Sequence, residues 1–491
     1  MRTSIIETDS AGGAELSRGR RLGILLICSM SLLIVGLDVT IVNLALPSIG
    51  RSLHSSLSGL QWTLDAYTLV LASLLMLSGS TADRVGRRRT FVVGLCTFVA
   101  GSLLCSFAPN VTSLIVFRMV QAVGGSMLNP VAMSIITNTF TAARERAQAI
   151  GVWAAVMGVS MAMGPLVGGF LVSSVGWRSI FWINVPIGLV AIVLALRYIP
   201  ESKSLVARRL DLPGQAFIIV ALASLTFCII EAPSIGWTSP VILAMWAIAF
   251  GSLVALVFWE NYTVDPLLDL RFFRSVPFSA ATMIAVASFA AMGGFLFLNA
   301  LYLQDVRGLS PLRAGIDTLP MAAMTLLFSP ISGHIVGRRG SRAPLVVSGL
   351  TLSVACVMLV RITSTTPFLW LFVAYAIFGV GFGLVNAPIT NAVVASMPRS
   401  QSGVAAAIAS TSRQIGQTLG VAGVGALVTS HAAHGKQFDF AVASRAGWWV
   451  LAGCGAAVLA LGAVSTTTWA RSSAMRSAQV MNLEYVEDHT R

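Results

Sequence analysis

Gly79-Ser-Thr-Ala-Asp83-Arg84-Val-Gly86-Arg87-Arg88-Arg89 is a short basic loop between two apolar runs, at about 58–79 and 91–107. A helix that crosses a bilayer needs about 20 mostly apolar residues, so the loop reads as a hairpin joining two membrane spans. Gly79 allows close helix approach, and Gly86 permits the tight turn. Asp83 can sit against a helix N-terminus or an arginine and so hold two halves of a molecule in one state. The loop has an echo. His334-Ile-Val-Gly-Arg-Arg-Gly340 follows another apolar run, 251 residues further on, with His334 standing where Asp83 would be. A second echo pairs Gly124-Gly-Ser-Met-Leu-Asn-Pro130 with Gly381-Phe-Gly-Leu-Val-Asn-Ala-Pro388. Two matches in one register mark an internal repeat.

The rest of the chain agrees with a bilayer as solvent. Of 491 residues, 56% are hydrophobic and only 10% charged, with a mean hydropathy of +0.83. A soluble domain carries about a quarter charged residues, so an ordinary soluble enzyme and a disordered chain are both excluded. Apolar runs fall at about 22–44, 58–79, 91–107, 112–134, 147–172, 179–197, 213–231, 240–259, 278–301, 315–335, 343–361, 367–390, 402–428 and 447–469, which makes fourteen. The first is too long for a signal-peptide core and is read as an uncleaved span. The two echoes map run 2 onto run 10 and run 4 onto run 12. The expected fold is therefore an all-α integral membrane protein of fourteen transmembrane helices: two six-helix bundles, 22–200 and 278–469, with two inserted central helices, 213–259. Polar tails, 1–21 and 470–491, lie at either end.

Charge sets the expected orientation. The net charge is +13, and all basic residues except Lys203 and Lys436 are arginine. With fourteen spans both termini share a side. Twenty-three basic residues fall on that side, seven on the other, and Arg118 and Arg413 lie within runs. Cytoplasmic loops are enriched in Lys and Arg, so both termini are expected in the cytoplasm. The arginines act as topology signals, and no nucleic-acid partner is expected. Cys28, Cys96, Cys105, Cys228, Cys356 and Cys454 all lie in apolar runs without a Cys-x-x-Cys pair, which suggests neither a disulfide framework nor a zinc site.

Two parallel six-helix halves are how many secondary transporters are built, with the substrate site at their interface. The loop at 79–89 resembles the signature of the major facilitator superfamily, and the chain over about 20–470 looks like its fourteen-span drug:proton antiporter family. Run 5, Gly158-Val-Ser-Met-Ala162-Met-Gly164-Pro165-Leu-Val-Gly168-Gly169, resembles that family's antiporter motif, which implies export. Its small residues offer helix-packing faces, and Pro165 removes a helix hydrogen bond. Arg118-Met-Val-Gln121 resembles the superfamily's motif linked to proton transfer, with Ala122 in place of its second glycine. Trp177-Arg178-x-x-Phe181-Trp182-Ile-Asn184 also resembles the family, as does Arg413-Gln-Ile-Gly416, to which no role is assigned.

Intramembrane polar residues supply the candidate site. In run 1, Leu37-Asp38-Val-Thr40-Ile-Val-Asn43, a charged unpaired carboxylate costs on the order of 2.5–3.5 kcal/mol at mid-bilayer. Asp38 should face a partner or a cavity, and burial favours its protonated form. Arg118 stays charged and needs a partner; bringing it to Asp38 or moving it away would make a proton switch. Asp38 and Arg118 are the expected proton-coupling pair. Trp62, Asp65 and Leu69 share one helical face. Asp65, Asp317, Trp62, Gln121 and Asn43 are the expected substrate-contacting set. Gly79, Asp83, Arg84, Gly86, Arg87, Arg88, Gly158, Gly164, Pro165, Gly168 and Gly169 are the conformational set.

The function expected is a proton-coupled antiporter exporting amphipathic small molecules, cationic or aromatic, from a bacterial cytoplasmic membrane. The alternative is a proton symporter or an exporter of an endogenous metabolite. Its partners are the small-molecule substrate, protons and lipid, and it is expected as a monomer. No phosphate-binding Gly-x-x-x-x-Gly-Lys-Ser/Thr loop occurs, and no cluster of catalytic or metal-ligating residues at one depth. No enzyme activity, catalytic residue, metal or cofactor is expected.

Overall fold

In hydrocarbon every backbone N–H and C=O must be satisfied within the protein, and among the described residues helices alone meet that demand. The computed structural model describes residues 17–203, 211–263, 269–395, 402–432, 439–470, 472–476 and 479. Most of the two tails, Arg208, Arg209, Arg399, His434 and Lys436 lie outside the described residues.

The fourteen spans are α1 (Arg18–Leu53), α2 (Leu57–Val85), α3 (Arg87–Ser106), α4 (Val111–Thr139), α5 (Ala143–Ser174) and α6, in two pieces (Ser179–Trp182 and Asn184–Tyr198). Then follow α7 (Leu212–Ile235), α8 (Pro240–Tyr262) and α9 (Val276–Leu301). A π turn extends α9 through Val306. The remainder are α10, again in two pieces (Pro311–Asp317 and Leu319–Arg339), α11 (Arg342–Leu359), α12 (Phe368–Ala395), α13 (Ser402–Ala432) and α14 (Phe440–Ser465). Thirteen of these are long and apolar enough to span a bilayer by composition. The fourteenth, α13, has 31 residues and carries Arg413, Gln414 and Gln417. Its span is explained by packing rather than hydropathy, because it runs between α9, α14, α2 and α7.

The sequence echo is repeated in the packing. Within α1–α6 the tight pairs are α1 with α5, α2 with α4, α3 with α4 and α3 with α6. Within α9–α14 they are α9 with α13, α10 with α12, α11 with α12 and α11 with α14. Each pair in one bundle has its counterpart in the other. Small residues set these crossings, as is usual where lipid competes with protein for apolar surface. A Cβ on Gly101 of α3 would strike the backbone of Gln121 in α4, and one on Gly349 of α11 would strike Leu459 in α14.

The inserted pair is peripheral. α7 packs on α2 and α13, whereas α8 leans mainly on α7 and leaves Leu243, Phe250, Leu253, Phe258 and Tyr262 exposed. Those side chains suit contact with lipid. Gln215 of α7 donates to the Ser73 carbonyl of α2, and Trp62 of α2 donates to Glu231 of α7 at 2.8 Å. The insertion is thus riveted to α2 at two levels.

Candidate functional site

Four helices of the first bundle converge on one carboxylate. Asp38 stands twenty residues into α1, about 30 Å from its start, and is 2% exposed; Arg118 of α4 is 1% exposed. Arg118 Nη1 donates to Asp38 Oδ2 at 2.5 Å. Gln121 Nε2, one turn along α4, donates to Asp38 Oδ1 at 2.9 Å, and Asn184 Nδ2 of α6 reaches the same oxygen at 3.3 Å. Asn184 also donates to Ser102 Oγ of α3 at 3.0 Å, and Ser102 in turn to the Phe181 carbonyl at 2.9 Å. Arg118 completes its own set with Gln121 Oε1 at 2.8 Å and the Thr63 carbonyl of α2 at 3.4 Å. Its guanidinium lies 4.1 Å from the centroid of the Tyr67 ring.

Neither charge points at lipid. Such a pair is costly to desolvate, and holds only if the remaining donors and acceptors are filled, as they are here. Asp38 and Arg118 were expected to need each other. Asn184 and Ser102 were not assigned a role; an Asn in an apolar run was the available signal.

The second bundle has a neutral counterpart. The register that relates Gly124 to Gly381 relates Arg118 to Tyr375. The Tyr375 hydroxyl donates to Asn299 Oδ1 of α9 at 2.5 Å. The two bundles share an architecture, and only the first carries an ion pair at this position.

Directly beyond Asp38, α1 packs against the glycine-rich run of α5. A Cβ on Gly164 would overlap Thr40 Oγ1, and one on Gly168 would press on Ile41 at 3.2 Å. The next residue, Gly169, faces α10: its Cβ would come within 2.8 Å of the Pro311 carbonyl and the Leu312 Cα. In return, Gly315 of α10 abuts the Pro165 carbonyl. Gly158, lower on α5, lies near Leu326 of α10 at 3.4 Å. The run therefore brings α1, α5 and α10 to backbone contact, on the half of the molecule away from the N-terminus.

Further contacts between the bundles lie on that same half, while Met76 of α2 packs on a cluster of Phe278, Val393 and Ile408 nearer the N-terminal face. Gln304 Nε2 donates to the Leu44 carbonyl at 2.7 Å, Arg51 pairs with Asp305 at 3.1 Å, and the Leu312 amide donates to Ser173 at 3.0 Å. Across α2 and α13, Gln61 donates to the Ala422 carbonyl at 3.0 Å, and the Thr68 and Thr418 hydroxyls meet at 2.7 Å. The face opposite the N-terminus is sealed. Toward the N-terminal face α4 packs within the first bundle and α12 within the second.

The expected substrate-contacting residues separate. Asp65 is fully buried on the α2 side of the seal, one turn from both Gln61 and Thr68, and neither carboxylate oxygen has a partner among the described residues. Trp62 turns instead to α7, bonded to Glu231 and packed on Phe227. Leu69 lines a small crevice with Ala72, Leu222, Thr226, Ile415, Thr418 and Leu419. Asp317 is 2% exposed and pairs with Arg313 at 3.1 Å. Asn43 donates to the Val39 carbonyl within α1 at 2.9 Å. Only Gln121 belongs to the Asp38 network.

The loop at 79–89 behaves differently from its expected latch. Asp83 pairs with Arg87 in its own loop, at 2.8 Å, and Arg84 is exposed. Gly79 meets only the Pro130 side chain, at 3.9 Å. Gly86 has φ +127°, and the Glu201 carboxylate occupies the place its Cβ would take. Glu201 accepts from the amides of Arg88 at 3.1 Å and Arg89 at 3.3 Å, capping α3. This acid after α6 went unremarked in the sequence; it ties the loop to its own bundle. Among the described residues no group of His, Cys, Asp and Glu side chains could hold a metal ion.

Comparison with known proteins places this geometry. The family model described as Major Facilitator Superfamily matches residues 28–421. Multidrug resistance protein Stp of Mycobacterium tuberculosis is 36% identical over 408 residues, which is 83% of this chain and 75% of that protein. The tetracenomycin C resistance and export protein of Streptomyces glaucescens is 34% identical over 419 residues, 84% of this chain and 77% of that protein. Among solved structures, the crystal structure of a D-xylose-proton symporter superposes with a TM-score of 0.65 over 90% of this chain and 96% of that one. At 14% identity that likeness speaks for the fold alone.

Proposed function

The chain belongs to the major facilitator superfamily, and from that premise we propose that it exports amphipathic small molecules from the cytoplasm in exchange for protons. It is a multi-pass membrane transporter and no enzyme. The relatives' names speak of multidrug resistance and of antibiotic resistance and export, and supply the direction and breadth of the proposal. The 23-to-7 division of basic residues supplies the orientation: the N-terminal face is cytoplasmic, so the sealed face is the outer one.

The observation that carries the coupling is the Asp38–Arg118 pair, buried among α1, α3, α4 and α6. While Arg118 stays on Asp38 the carboxylate is charged and satisfied. Drawing Arg118 away leaves a desolvated carboxylate without a counter-charge, which is costly; a proton then takes the place of the guanidinium. Thr40 and Ile41, two and three residues beyond Asp38, are the α1 surface on which Gly164 and Gly168 rest. A shift of α1 that accompanies the proton therefore acts on the outer seal. Substrate taken from the cytoplasm by the paired, deprotonated carrier opens the outer side; a proton taken up there at Asp38 returns the carrier to the outer-sealed state, and its loss to the cytoplasm rebuilds the pair. The membrane potential adds about 2.3 kcal/mol per charge per 100 mV.

Aromatic and amphipathic cargo suits a chamber walled by two largely apolar bundles. The boundaries proposed for the bundles are 22–200 and 278–469, with the 213–259 pair outside them, and the working unit is a monomer.

The test is dye transport in inverted membrane vesicles. An inside-acid gradient should drive ethidium into vesicles bearing the protein, and a proton uncoupler should stop it. Uptake that runs with the proton flux, or that ignores the uncoupler, overturns the reading.

A further inference from the structure

Two arginines lie at membrane depth in the interior of a bundle, and they differ in one respect. Arg118 is surrounded by acceptors. Arg413, eleven residues into α13 and so about 16 Å from its start, is not. Its Nη2 donates to Thr390 Oγ1 of α12 at 2.9 Å, and its Nε, buried, has no partner. Among the described residues no carboxylate pairs with it; Arg51, Arg87, Arg118 and Arg313 all have one.

The position is held firmly. One turn and two turns further along the same stripe of α13, Gly416 and Gly420 rest on the backbone of Val286 and Ala290 in α9. This pins the helix and leaves Arg413 directed between α9 and α12. There its guanidinium lies 5.9 Å from the centroid of the Phe289 ring, which is half-buried and packs edge-on to Phe382 at 5.2 Å. Thr390, which the guanidinium touches, is exposed near the C-terminal end of α12. An arginine cannot lose its charge, and Arg413 is half-buried, with its Nε shielded and no counter-ion among the described residues.

We propose that Arg413 is the binding point for an anionic head group, a carboxylate or ionised phenol, on the transported molecule, whose apolar body lies along Phe289. The guanidinium fork matches a carboxylate with two parallel N–H donors, and Nε is one of them. This deepens the export reading, on which it rests, by adding a charge class to the cargo: lipophilic acids, beside the cations expected from Asp65 and Asp317. Those two carboxylates lie at the outer seal and beside Arg313, away from this corner.

The test is equilibrium binding to the full-length protein in lipid nanodiscs, without any gradient. The probes are 1-pyrenebutyrate, its methyl ester, and ethidium. Wild type should bind the acid about tenfold or more tightly than the ester, the range a charge-assisted hydrogen bond supplies. Arg413→Gln should abolish that preference and leave the ester and ethidium unchanged; Arg413→Lys should keep part of it. Thr390→Val, a milder change, should lower it a few-fold with folding intact. Equal binding of acid and ester to wild type, survival of the preference in Arg413→Gln, or equal weakening of all three probes overturns the proposal. Absent pH-driven efflux with the acid preference intact counts against export and for the site. Ethidium efflux with no acid preference does the reverse.

Discussion

Replacing Asp38 by Asn keeps the shape of the side chain and removes its charge. Asp38 accepts at Oδ1 from Gln121 and Asn184 and at Oδ2 from Arg118. An amide offers one oxygen and one NH2, so in either orientation its NH2 faces a donor. Arg118 is then a buried charge without a counter-ion. Breaking a buried pair from one side costs about 3–5 kcal/mol, whereas removing both charges is often neutral. The single variant should therefore melt well below wild type in detergent. The double variant Asp38→Asn/Arg118→Met should recover much of the loss. In inverted vesicles both should lose pH-driven dye accumulation while passive exchange of substrate persists. Wild-type accumulation that still responds to an uncoupler in Asp38→Asn would remove this carboxylate from the coupling. A double variant no more stable than the single one would refute the account of the pair.

The seal and the loop make further predictions. Thr68→Cys/Thr418→Cys should form a disulfide under oxidation, because the two hydroxyls meet at 2.7 Å; transport should stop and return on reduction. Gly164→Ala should depress efflux because its methyl overlaps Thr40, and Thr40→Gly should restore part of it, read by dye efflux in cells. Glu201→Ala should lower the melting temperature by an amount equivalent to about 1 kcal/mol, the worth of a helix N-cap, with substrate affinity unchanged. Gly86→Ala should be worse, since its φ of +127° is poorly open to a side chain and its methyl would meet the Glu201 carboxylate.

Much of the site could be read one residue at a time. A bilayer penalises every charge it covers, so Asp38, Arg118, Asp65 and Arg413 stand out in apolar runs without any knowledge of the fold. The glycines of α5 are readable for the same reason, because lipid leaves helices to associate through small residues. Partners are another matter. Arg118 and Asp38 are 80 residues apart on different helices, and only the crossing of α1 with α4 decides that they meet. Asp83 could serve a latch between halves or a turn in its own loop; the state sealed on the face away from the N-terminus selects the turn. Trp62 and Asp65 lie on one face of α2, yet the docking of α7 claims the first and the contact with α13 buries the second.

The sequence by itself determined the solvent, the number of spans and the doubling of the bundle, because hydrophobic length acts locally along the chain. The tertiary structure decided which ions neutralise one another, which face is shut, and that Arg413 has no counter-charge among the described residues. Those outcomes depend on distances between helices remote in sequence, and electrostatic energy in a dry interior changes steeply with such distances.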